Sequence, residues 1–308
     1  MRFSVLAILT GLLVVVIAAC IWLWTPDESR DALETKYLKS KSDYLDVAGF
    51  KLHVRDNGPK TAPAVIFIHG LGSSLHTWEP WAQSLSESFR VIRYDLPGFG
   101  LTGPDPTGDY SEARGIQVLA ALMNKLEISR ASLVGNSIGG RLAWNFAAQY
   151  PKRLEKLVLI SPDGFESPGY EYGKHPVVPA FVKLMRYVLP KAFLRMNLVP
   201  AYADPARLSD ETLTRYYELL IAPGVRDAMI ARMEQTVLVR PEPLLQRIEA
   251  PTLLIWGEKD ALIPISNAAD YLKAIPNSQL VKLPGLGHVP QEEAPADSLV
   301  PLQKFLER

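Results

Sequence analysis

The segment Gly135-Asn136-Ser137-Ile138-Gly139 sets a serine between two glycines in the spacing G-x-S-x-G. A serine hydroxyl becomes a useful nucleophile when a neighbouring base takes its proton. The apolar run Ala131–Val134 precedes this serine and a helical pattern follows from Ile138 to Tyr150, which puts Ser137 on a strand-to-helix turn. In so sharp a turn only glycines at 135 and 139 leave room for the neighbouring backbone. The hydroxyl is then presented at a helix N-terminus, where free N–H groups and the helix dipole favour developing negative charge. The alternative is that Ser137 is merely a small residue in a tight turn, and the strand–turn–helix context favours the nucleophile.

A base and an orienting acid must accompany it. His288 ends Pro284-Gly285-Leu286-Gly287-His288, after the last apolar run, and Asp260 ends Trp256-Gly257-Glu258-Lys259-Asp260, directly after the run before it. Both lie in loops at the carboxyl ends of strands, on the sheet edge that carries Ser137. The expected catalytic set is therefore Ser137 as nucleophile, His288 as base and Asp260 as orienting acid. Asp163 is the alternative acid, although its Ser161-Pro162-Asp163-Gly164 setting suits a structural turn. An oxyanion needs two converging N–H groups, and the backbone of Ile138 is placed to supply one. Leu71, in the loop His69-Gly70-Leu71-Gly72, is placed to supply the other. His69 reads as a brace for that loop rather than as the base.

These residues need a scaffold of strands and helices. Asp43–Val47 and Phe50–Asp56 flank Ala48-Gly49, a hairpin signature. Further strand-like runs are Ala64–His69, Arg90–Tyr94, Ala131–Val134, Leu154–Ile160, Thr252–Trp256 and Gln279–Leu283. Helical patterns lie between most of them, at about 76–88, 112–126, 138–150, 265–274 and 292–307. The alternation predicts an α/β fold: a mostly parallel eight-stranded sheet with helices on both faces. Residues 165–247 carry no strand pattern, only helical segments punctuated by proline, and read as a cap inserted in one domain.

Composition narrows the function. The chain of 308 residues is 48% hydrophobic and 21% charged, a globular balance, and its 33 basic and 33 acidic residues cancel. A nucleic-acid partner is not expected without a basic excess. One cysteine, Cys20, excludes an intrachain disulfide, and the five histidines lack metal-ligand spacing, so no metal site is expected; the serine chemistry of Ser137, His288 and Asp260 implies no cofactor either. Phe3 to Trp24 carries no charge and as a helix would span about 33 Å, enough for a hydrocarbon core of roughly 30 Å. The expectation is an N-terminal transmembrane anchor over 1–25, a stalk over 26–42 and a catalytic domain over 43–308. With Arg2 before the run and Asp27, Glu28, Arg30 and Asp31 after it, the catalytic domain would be extracytoplasmic, with the membrane as its partner. Ile17-Ala18-Ala19-Cys20 is a rival, a lipoprotein-processing box with Cys20 as the lipidated residue.

From residue 43 onward the chain resembles an α/β-hydrolase fold enzyme with a helical cap. The resemblance rests on His69-Gly-Leu-Gly72, Asp95-Leu-Pro-Gly-Phe-Gly100, Gly135-Asn-Ser-Ile-Gly-Gly140, Gly257-Glu-Lys-Asp260 and Gly287-His288. Its overall layout also resembles single-pass monoacylglycerol lipases and related bacterial lipases. It implies an esterase or lipase cleaving lipophilic, monoacylglycerol-like carboxylic esters through an acyl-enzyme. The Gly-Asn-Ser-x-Gly-Gly form also occurs in carbon–carbon bond hydrolases of aromatic ring-cleavage products. That family carries a tryptophan after the catalytic histidine, where this chain has Val289. A non-catalytic ligand-binding protein on the same fold is the third reading, and a complete Ser137, Asp260 and His288 argues against it. Oligomeric state is not legible at this level.

Overall fold

Each short apolar run of the sequence becomes a strand. The computed structural model describes residues 2–166 and 171–308, without the side chains of residues 2–6, Val16, Ala19 and Cys20. The strands are β1 (Tyr44–Val47), β2 (Phe50–Asn57), β3 (Ala64–Ile68), β4 (Arg90–Tyr94), β5 (Ala131–Asn136), β6 (Leu154–Ile160), β7 (Thr252–Gly257) and β8 (Ser278–Leu283). They form one eight-stranded sheet in the order β1-β2-β4-β3-β5-β6-β7-β8. β1 and β2 pair antiparallel across a tight turn whose two residues, Ala48 and Gly49, both have positive φ (52° and 93°), as a two-residue hairpin of this type requires. β2 meets β4 antiparallel, and the pairs from β4 through β8 are parallel. The mostly parallel eight-stranded sheet expected from the sequence is what forms.

The interior strands β5 and β7 are buried at every position, because helices cover both faces. One face packs on α4 (Glu112–Lys125), α5 (Ile138–Gln149), α10 (Glu242–Leu245) and α11 (Ala268–Ala274), through Leu119, Phe146, Leu245 and Tyr271. The other packs on α3 (Glu79–Leu85) and the C-terminal helix Pro295–Leu306, through Trp81, Leu85, Leu302 and Phe305. Between β6 and β7 the described residues form no strand. The main cap helices are α6 (Ala180–Lys183), α7 (Lys191–Leu198), α8 (Asp210–Leu220) and α9 (Val225–Gln235), with an apolar cluster of their own.

The N-terminus departs from expectation. A helix, α1, spans Arg2–Leu23, yet among the described residues no helix is long and apolar enough to cross a membrane. The expected transmembrane anchor, and the single-pass, extracytoplasmic placement derived from it, therefore do not hold. The side chains of Arg2 and Cys20, on which the orientation and the lipidation alternative turned, lie outside the described residues.

The segment expected to be a stalk lies folded on the cap. Trp24 stacks on Tyr187 with ring centroids 5.7 Å apart. The Thr25 N–H donates to the Tyr187 carbonyl at 2.8 Å, and the Thr25 hydroxyl accepts from Leu189 N–H at 2.9 Å. Next comes α2 (Arg30–Tyr37), capped by Ser29, whose hydroxyl accepts the Ala32 N–H. Leu33 sinks into the apolar cluster of the cap, and the Tyr37 hydroxyl donates to Glu218 of α8.

Candidate active site

The order of the sheet reverses between β3 and β5, which lie side by side with Ile68 opposite Gly135. A doubly wound sheet places its ligands at such a switch point, beyond the carboxyl ends of the strands. Ser137 stands there with φ 56° and ψ −122°, a strained backbone for a non-glycine residue. Close packing enforces the turn. A Cβ on Gly135 would meet the Gly139 carbonyl oxygen at 2.3 Å, and one on Gly139 would meet the Ile68 carbonyl oxygen at 2.3 Å. The strain is held by the Ser137 N–H donating to Ile160 O and the Asp163 N–H donating to Ser137 O, each at 3.1 Å.

β7 and β8 run side by side with Gly257 opposite Leu283, and the loops after them carry Asp260 and His288. His288 Nδ1 lies 2.8 Å from Asp260 Oδ2 in a buried hydrogen bond. The other carboxylate oxygen accepts the N–H groups of Leu262 and Ile263, each at 2.9 Å. Burial pushes the Asp260 carboxyl up, but the hydrogen bond and charge of His288 and the Ile263 N–H outweigh it and hold the pKa below the ordinary value. With Nδ1 turned to the acid, Nε2 is the ring nitrogen left for the cavity. Ser137 and His288 line the same cavity, of about 440 Å³, under the cap. Among the described residues no hydrogen bond joins them, and such contacts often close only when substrate arrives.

The loop after β3 reaches the same place. A Cβ on Gly70 would meet the Ser137 Cβ at 3.3 Å, so the two turns touch. Among the described residues neither the Leu71 N–H nor the Ile138 N–H donates to a protein acceptor. His69 is fully buried and its ring is engaged elsewhere: its Nε2 accepts the Leu96 N–H at 2.9 Å and its Nδ1 bonds Gly70 O at 2.8 Å. Burial lowers its pKa to about 4, so it stays neutral and braces the loop. Asp163 turns to α5, where its carboxylate lies 2.9 Å from Arg141. Asp95 is also structural; it accepts from His53 and from the N–H groups of Leu75 and Leu101.

The structure adds residues that the sequence did not single out. Asn136 Nδ2 donates to both Ile160 O and His288 O, tying the nucleophile turn to the histidine loop. Buried Glu293 accepts the Gly287 N–H at 2.6 Å and the Asp204 N–H of the cap at 2.9 Å. Its neighbour Glu292 accepts from Tyr202, Arg215 and Tyr216. The only sequence signal was two adjacent acids shortly after His288. Metal-ligand clusters are absent among the described residues.

A family model for the alpha/beta hydrolase fold matches residues 63–295. The chain belongs to that family. The hydrolase is 28% identical to a 2-hydroxy-6-oxo-6-phenylhexa-2,4-dienoate hydrolase of Burkholderia cepacia, over 80% of this chain and 88% of that protein. It is 27% identical to Lipase 3 of a Moraxella species, over 85% of each chain. Among solved structures it superposes on an enol-lactonase from Burkholderia xenovorans with a TM-score of 0.75 and 25% identity, over 86% of this chain and 100% of that one. A dienoate hydrolase, a lipase and an enol-lactonase are thus all similar to it.

Proposed function

We propose that this hydrolase cleaves carboxylic esters with lipophilic, monoacylglycerol-like substrates, using Ser137, His288 and Asp260. One observation carries the reading: the strained Ser137 and the Asp260-bound His288 open onto a single cavity lined mainly by apolar cap residues such as Phe181, Val188 and Leu194. Ser137 Oγ attacks the ester carbonyl carbon while His288 Nε2 takes its proton. The N–H groups of Leu71 and Ile138 hold the oxyanion, a contribution worth about 10²–10³ in rate for a single donor. As the tetrahedral intermediate collapses, His288 gives the proton to the departing alkoxide and the acyl group stays on Ser137. Water, deprotonated by His288, then attacks the acyl-enzyme; the acid leaves and Ser137 regains its proton. Asp260 keeps Nδ1 protonated and stabilises the imidazolium between steps. No residue here calls for a cofactor.

The test is labelling by a fluorophosphonate together with hydrolysis of a p-nitrophenyl ester series. Ser137→Ala should abolish labelling and reduce turnover by about 10⁶, the scale of losing such a nucleophile. Labelling of the variant at the wild-type level would overturn the assignment.

The similarity to a dienoate hydrolase supports a second reading, cleavage of a carbon–carbon bond in ring-cleavage products. Such a substrate carries a carboxylate, and among the described residues no lysine or arginine lines the cavity to meet it. Val289, in place of the tryptophan of that family, also favours the ester reading. A ring-cleavage dienoate assayed beside the esters separates the two.

A further inference from the structure

The cavity is lined mostly by apolar residues, yet Ser73 and Tyr216, which both bear hydroxyls, belong to its lining together with Ser137. Ser73 lies two residues beyond Leu71, in the loop that touches the Ser137 turn, and Tyr216 reaches it from α8 of the cap. Their oxygens are 3.2 Å apart, and the Tyr216 oxygen is 3.3 Å from Glu292 Oε1. Neither hydroxyl contributes to the ester chemistry described above.

The direction of these hydrogen bonds follows from proton counting. Burial pushes the Tyr216 pKa well up, so the phenol keeps its proton. That single proton cannot serve Ser73 and Glu292 together. The carboxylate only accepts, and it is fixed from its other sides by Arg215 at 2.6 Å and by the Tyr202 hydroxyl at 2.6 Å. Tyr216 therefore donates to Glu292, and the Ser73 hydroxyl donates to Tyr216. With its own proton committed, Ser73 offers a ligand lone pairs only. A ligand group that meets it must bring a proton, as an alcohol does; an ether oxygen or a carboxylate cannot.

We infer that Ser73, oriented by Tyr216 and Glu292, binds a free hydroxyl on the alcohol part of the ester. The aliphatic remainder of the lining suits the acyl chain, whereas a buried hydroxyl pair facing hydrocarbon would lose its hydrogen-bonding capacity to no gain. The inference rests on the ester reading above and adds to it a requirement on the leaving group: esters of polyols are preferred over shape-matched esters without an O–H.

Two substrates test it, 1-monodecanoylglycerol and the decanoyl ester of glycerol dimethyl ether, which has the same skeleton and no donor. The wild type should show a higher kcat/KM for the first. Ser73→Ala and Tyr216→Phe should each lower that preference ratio by roughly three- to tenfold, the range for one neutral hydrogen bond. The ratio cancels any general loss of activity in either variant. A wild type that turns over both esters without preference, or variants that keep the wild-type ratio, would overturn the subsite while leaving the ester reading intact. Failure of the wild type on both esters and on p-nitrophenyl esters would overturn the ester reading and the subsite together.

Discussion

The backbone N–H of His288 donates to the carbonyl oxygen of Ala201 at 2.8 Å, so the cap holds the proposed base directly. Glu293 reinforces the tie by accepting one N–H from each side, Gly287 and Asp204. There is no slack between them: a Cβ on Gly287 would meet Ala201 O at 2.6 Å. Cap displacement and histidine displacement are therefore coupled.

Glu293→Gln leaves one oxygen to accept and turns an NH₂ group toward an N–H donor. Losing a hydrogen bond to a charged group costs about 1.5–3 kcal/mol. The expected outcome is a kcat lowered by roughly ten- to a hundredfold with KM within about twofold, since the lining is untouched. Steady-state kinetics on a p-nitrophenyl ester measure it. An unchanged kcat would show that the clamp does not position His288.

Asp260→Asn should lower kcat by about 10⁴ by disturbing the tautomer and charge of His288. Asp163→Asn should act mainly on thermal stability, because its partner is Arg141. If the kinetic effects rank the other way, the acid has been misplaced.

Acid should destabilise the fold through buried imidazoles. Burial lowers His69 to about 4 and His76 to about 3, against an ordinary 6.5. Between pH 6.5 and about 4 the unfolded chain binds more protons than the folded one, so stability falls as pH drops through that window. Each ring contributes up to about 1.4 kcal/mol per pH unit. Tm measured against pH should have a shallower slope below pH 6.5 in His76→Gln than in the wild type. Identical slopes would exclude His76 as a contributor.

Leu33→Ala removes a side chain 2% exposed in the cap cluster and should cost about 2–5 kcal/mol. Chemical denaturation would show it. A change within about 0.5 kcal/mol would mean that α2 contributes little to the stability of the cap.

The central sheet was legible because its strands are short apolar runs separated by helical repeats. The surroundings of Ser137, Asp260 and His288 were legible because glycines and chain order mark strand ends. Glu292 and Glu293 were hidden: adjacent acids at the start of a helix read as a solvated face, and only the cap folding over them makes them internal. Likewise the polar residues 26–42 conceal Leu33 and Tyr37, four apart on one face of α2. Phe3 to Trp24 misled for the opposite reason, since an uncharged run meets a length rule whatever structure it joins.

The docking of residues 24–37 makes the cap a discontinuous unit. Arg226 of α9 is buried and bonds Asp27 at 2.6 Å, while the Glu28 N–H donates to Ile221 O at 2.9 Å. A chimera that exchanges caps by cutting only after β6 and before β7 would bring in a foreign surface for α2 and leave Asp27 facing whatever replaced Arg226. Transplantation of substrate preference into a related scaffold therefore has to move two stretches of gene together, far apart in sequence.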